Sequence, residues 1–118
     1  MNYIAIPGLK RDIDINRQVL GMVRHSNSAD RIVEAVEKHF NITLEQMRSK
    51  NRRRLICYPR QVAMYLMYKR TALSLQDIGQ FFGGRDHTTA IHSNHAIENL
   101  MTTESLIREE VEMILNKL

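Results

Sequence analysis

Gly83-Gly84-Arg85-Asp86-His87-Thr88-Thr89 sets four short hydrogen-bonding side chains, Asp86 to Thr89, one residue behind a double glycine. Those residue types suit the reading of base edges. An aspartate accepts from cytosine N4, a histidine donates to purine acceptors, and a threonine methyl packs on the thymine methyl. The same four residues also suit a solvated first turn in which Asp86 only caps a helix. A second concentration of chemistry lies upstream. From Gln46 to Gln76 there is no Asp or Glu, while eight cations fall there: Arg48, Lys50, Arg52, Arg53, Arg54, Arg60, Lys69 and Arg70. A run of this kind is often a solvated surface loop, but an acid-free window continuing into a helix favours phosphate binding.

Other constellations carry less. On a helix His92 and His95 share a side, but His87 lies about 140° from His92, so no zinc site is expected. Cys57 is the single cysteine, which excludes an internal disulfide and is expected to be a small packed residue. Met64 and Met67 read as core filler. No nucleophile, base and orienter stand together, and no G-x-x-x-x-G-K-[ST] occurs, so neither catalysis nor a P-loop ATPase is expected. No cofactor or metal is expected either.

These groups must be positioned by helices. The chain has 118 residues, 43% hydrophobic and 25% charged, with a formal charge of +4, which suits one compact domain. No apolar run approaches the ~18 residues that a membrane span needs. The first residues do not form a signal peptide. Residues 1–28 are expected to be an N-terminal extension, with an extended lead over 1–11 and a helix from Asp12 to Arg24. His25-Ser26-Asn27-Ser28 is expected to break that helix and open the domain proper, 29–118.

There Ile32, Val33, Val36 and Phe40 predict an amphipathic helix ended by Asn41. Thr43-Leu44-Glu45-Gln46 predicts a capping box on a short helix. Pro59 suits the first turn of a helix reaching about Arg70, whose Val62–Tyr68 run, apolar all round, makes it the central one. Ser74 opens a short helix with Leu75, Ile78, Gly79 and Phe82 inward, and Gly83-Gly84 ends it. Asp86 caps the next helix, carrying Ala90, Ile91, Ile97 and Leu100. Leu106, Ile107, Val111, Ile114, Leu115 and Leu118 mark a last amphipathic helix. Strand signals are lacking. The expected fold is all-α, five to seven helices around a helix-turn-helix with a basic loop.

The Gly83–Thr89 block, with Pro59-Arg60-Gln61-Val62-Ala63-Met64-Tyr65-Leu66 at matching spacing, resembles the C-terminal DNA-binding domain of DnaA, the bacterial chromosomal replication initiator. The resemblance covers roughly residues 29–101. It implies that Asp86, His87, Thr88 and Thr89 divide base and phosphate contacts in the major groove, and that Arg52 enters the adjoining minor groove. Arg60 and Gln61 match positions that hold phosphate, and Lys50, Arg53 and Arg54 add backbone neutralisation. Tyr58 stands where the family is usually basic, and Tyr68 replaces a lysine for which Lys69 is the neighbouring substitute. Gln76 and Ala90 replace a common proline and valine. With Arg85 the expected interface is Lys50, Arg52, Arg53, Arg60, Gln61, Lys69, Arg85, Asp86, His87, Thr88 and Thr89.

The implied activity is sequence-specific binding of double-stranded DNA at short A/T-containing boxes of the DnaA type, in initiation or regulation of replication, without an ATPase module. The implied setting is the bacterial or phage cytoplasm and nucleoid. Other replication or regulatory proteins are further candidate partners, whereas membranes and nucleotides are not expected. Two alternatives use the same residues: a transcription or mobile-element regulator on another operator, and a protein-interaction module whose basic face meets an acidic partner.

Overall fold

A computed structural model describes residues 23–118. The chain divides into two compact units, Met1–Asp30 and Arg31–Leu118. Of the first unit, the described part is the opening of helix α1, Val23–Phe40. The break expected at His25–Ser28 is therefore absent: these residues are helical, since the weak helix propensity of Ser and Asn is a prior that context overrides. The expected extended lead, and the helix expected from Asp12, lie outside the described residues up to 22.

The second unit is helical. After α1 come α2 (Leu44–Arg48), α3 (Arg54–Arg70), α4 (Leu75–Phe81), α5 (His87–Thr103) and α6 (Ser105–Asn116). Local chemistry accounts for most of the boundaries. α1 ends at Asn41, whose φ of 57° is the left-handed stop that asparagine tolerates. Thr43 caps α2: the Gln46 N–H donates to Thr43 Oγ1 at 3.1 Å, and the Thr43 N–H donates to Gln46 Oε1 at 2.9 Å. Ser74 and Asp77 form the same reciprocal box on α4.

α3 starts earlier than expected, at Arg54, so Pro59 is its sixth residue rather than part of its first turn. Its missing N–H forfeits one bond, to the Leu55 carbonyl, within the first two turns of the helix. Beyond it, Val62, Ala63, Met64, Leu66 and Met67 are fully buried, making α3 the axis against which α2, α4 and α5 pack. Tyr68, within the same run, is exposed. Ile78, Phe82, Ala90 and Ile97 complete this core from α4, the turn and α5. Phe82 is the largest of these side chains, and truncating it to alanine would cost about 3–5 kcal/mol.

α6 contributes Val111 and Ile114 to the core. Leu106, expected to face inward, is 77% exposed, because on a helix it lies about 140° from Val111. A carboxylate on α6 also links two other helices: His39 Nε2 donates to Glu110 Oε2 at 2.8 Å, and Tyr58 Oη donates to Glu110 Oε1 at 2.7 Å. Tyr58 thus closes α3 onto α6 and packs edge-on against Phe40 of α1. Burial, the bond to Glu110 and that carboxylate's charge raise the Tyr58 phenol above its ordinary range, although Arg54 opposes them.

Candidate nucleic-acid interface

α4, a glycine turn and α5 form the helix-turn-helix. Gly83 and Gly84 have φ of 88° and 76°, a region that side-chain-bearing residues rarely occupy. The reversal is closed by two backbone bonds, Gly84 N–H to the Gln80 carbonyl at 3.2 Å and Arg85 N–H to the Gly79 carbonyl at 2.9 Å. These bonds reach back four and six residues, so the turn folds onto the last part of α4. Asp86 then caps α5, its Oδ1 accepting from the Thr89 N–H at 3.1 Å and from Thr89 Oγ1 at 3.4 Å. The cap leaves Oδ2 outside these bonds. Asp86, His87 and Thr88 are exposed, while Thr89 is half-buried.

The basic loop between α2 and α3 is also locally organised. Asn51 Oδ1 accepts from the Arg53 N–H at 2.9 Å, and Ser49 Oγ accepts from the Asn51 N–H at 3.3 Å. Lys50, Arg52, Arg53 and Arg54 project from it, exposed. Behind the loop lies Arg60, only 7% exposed. Its Nε donates to the Met47 carbonyl at 2.6 Å, and its Nη2 donates to the carbonyls of Ser49 at 3.1 Å and Asn51 at 3.0 Å. Expected at a phosphate, Arg60 instead spends these donors beneath the loop. The Gln61 side chain next to it is half-buried.

Loop and helix-turn-helix are joined. Arg48 donates through Nε to the Phe81 carbonyl at 2.8 Å and lies over the Phe81 ring. Arg85 donates from Nη1 to the carbonyls of Phe82 and Arg48, and from Nη2 to the Ser49 carbonyl at 2.7 Å. A Cβ at Gly83 would meet the Arg48 carbonyl, so this close approach also needs glycine there. Lys50, Arg52 and Arg53 are thereby brought beside the start of α5. Lys69 is not: it pairs with Glu98 at 3.7 Å, some 17 Å along α5 from His87 at 1.5 Å per residue. Arg48, absent from the expected interface, takes part through its backbone carbonyl and its stacking, and its place at the end of the capped α2 was the available signal.

The arrangement presents a cationic loop and the polar N-terminus of a 17-residue helix on neighbouring surfaces, with no acidic residue between Gln46 and Gln76. The free N–H groups and positive end of such a helix favour anions, and its width suits a major groove.

Comparison with known proteins agrees with this geometry. The family described as "Bacterial dnaA protein helix-turn-helix" matches residues 29–97. The chromosomal replication initiator protein DnaA of Chloroflexus aggregans is 46% identical over 88 residues, covering 75% of this chain and 18% of that protein. Its counterpart in Ehrlichia ruminantium is 37% identical over 116 residues, 95% of this chain and 25% of the relative. The chain thus spans 18% to 25% of the length of these relatives.

Proposed function

Because the chain belongs to the bacterial DnaA helix-turn-helix family, we propose that it binds double-stranded DNA sequence-specifically, at short A/T-containing boxes of the DnaA type, in the initiation or control of replication. One observation carries this reading. Arg85 ties the Ser49 carbonyl to the start of α5, so two reading elements are held at a fixed separation. α5 enters the major groove with Asp86 Oδ2, His87 and Thr88 toward base edges. Thr89 steadies Asp86 through their shared bond. Arg52 extends into the neighbouring minor groove, where a narrow A/T-rich segment concentrates negative potential and attracts a guanidinium. Lys50 and Arg53 neutralise backbone phosphates on either side, with Gln61 at their rim. Lys69 contributes least, because Glu98 offsets its charge.

Binding by these residues requires no nucleotide, and the 118 residues hold no P-loop motif. The test is a pair of variants. His87→Ala and Arg52→Ala should each weaken binding to a DnaA-box duplex by about 1–3 kcal/mol while changing affinity for a scrambled duplex far less. A general basic surface meeting an acidic protein predicts instead the same small loss for any arginine removed, and that outcome would reject sequence reading.

A further inference from the structure

We infer that Arg85 is a positioning residue for DNA reading: its guanidinium holds the minor-groove loop in register with the recognition helix instead of contacting DNA. The inference rests on the DNA-reading function proposed above.

The loop is fastened by its carbonyls. Those of Met47, Ser49 and Asn51 accept from Arg60 on α3, and those of Arg48 and Ser49 accept from Arg85 in the turn. The Ser49 carbonyl therefore serves two guanidiniums at once, one rooted in the central helix and one adjacent to the Asp86 cap. With the carbonyls turned onto the two arginines, Lys50, Arg52 and Arg53 stand outward and exposed. Arg85 is half-buried, and its recorded donors go to main-chain oxygens of its own turn and of the loop.

Charge makes the arrangement responsive to a polyanion. Arg60 and Arg85 meet at the neutral Ser49 carbonyl, and among the described residues no carboxylate pairs with either guanidinium. Burial and then repulsion by Arg60 lower the Arg85 guanidinium from its ordinary value. Phosphates drawn to the exposed loop relieve that repulsion across a short, partly desolvated distance, so DNA tightens the clamp that positions Arg52. Planar bidentate donation is required for this, because one guanidinium must reach carbonyls on two segments. A lysine ammonium keeps the charge without the fork.

The test is a double-mutant cycle of Arg85→Ala and Arg52→Ala, read by fluorescence anisotropy on a DnaA-box duplex and on a scrambled duplex. If Arg85 acts through the loop, each single variant weakens box binding by about 5- to 150-fold, and the double variant is weaker than Arg52→Ala by less than about threefold. The salt slope on scrambled DNA stays unchanged for Arg85→Ala. Arg85→Lys is as defective as Arg85→Ala, and it carries the same cycle if the alanine variant does not fold. Fold losses that multiply in the double variant, a slope lower by about one, or rescue by lysine would make Arg85 a direct phosphate contact and overturn the inference. If the wild-type chain binds both duplexes equally, the DNA-reading function itself fails and this inference falls with it. Multiplying losses in a discriminating wild-type chain overturn the inference alone.

Discussion

The backbone N–H of Arg85 donates to the carbonyl of Gly79, and the approach is so close that a Cβ on Gly79 would run into the carbonyls of Arg85 and Asp86. The first helix of the helix-turn-helix thus touches the cap of the second through main chain, with no side chain between them. Backbone cannot swing aside as a side chain does. Gly79→Ala should therefore destabilise the domain by about 1–3 kcal/mol and displace the start of α5. Thermal unfolding checks it: a lowering of Tm by about 4–8 °C per kcal/mol is expected, and an unchanged Tm would show that the two helices can separate freely.

Asp86 has two tasks that one substitution separates. Asparagine caps helices as well as aspartate, so Asp86→Asn should leave stability within a few tenths of a kcal/mol, whereas Asp86→Ala should cost about 1 kcal/mol. Asparagine also brings a donor amide, which favours adenine over the cytosine amino group. A base preference that shifts in Asp86→Asn, with Tm retained, is the expected result. Wild-type binding by that variant across a panel of single-base-pair changes would mean that Asp86 only caps.

The clasp of Tyr58 on Glu110 predicts an alkaline dependence. The folded state raises the phenol's pKa, so the stability this group contributes is complete below the unfolded value of about 10 and is lost as pH climbs through the higher folded value. Tyr58→Phe should lower stability at neutral pH by about 1 kcal/mol and flatten the decline above pH 10. Chemical denaturation at a series of pH values measures both effects. Parallel alkaline limbs for wild type and variant would contradict the assignment.

Much of this architecture was legible in the residues because it is decided locally. Thr43 with Gln46, Ser74 with Asp77, Asp86 and the paired Gly83-Gly84 each satisfy or redirect backbone groups within a few residues, and each stands where an element begins or ends. The apolar run of α3 likewise declares its burial. What could not be read depends on distant partners. Arg60 looks like a phosphate ligand in a basic run and Arg85 like a further DNA contact, and only the fold brings Arg85 to a carbonyl 36 residues away. Tyr58 looked like a departure from a basic position, yet its partner Glu110 lies 52 residues on. Leu106 fits an apolar pattern by type, but its angle around α6 turns it to solvent. A side chain's type indicates what it can bond, whereas the choice between DNA and the protein's own carbonyls is made by packing.

The central claim is that this chain reads DNA sequence, and the most direct measurement is fluorescence anisotropy of the wild-type protein on a DnaA-box duplex and a scrambled duplex across a salt series. Binding to both should weaken with salt as counterions compete for the phosphates. The box should nonetheless stay tighter at every salt concentration, by about 10³-fold near physiological salt, because base-edge contacts survive screening. Equal affinities for the two duplexes throughout the series would contradict the account.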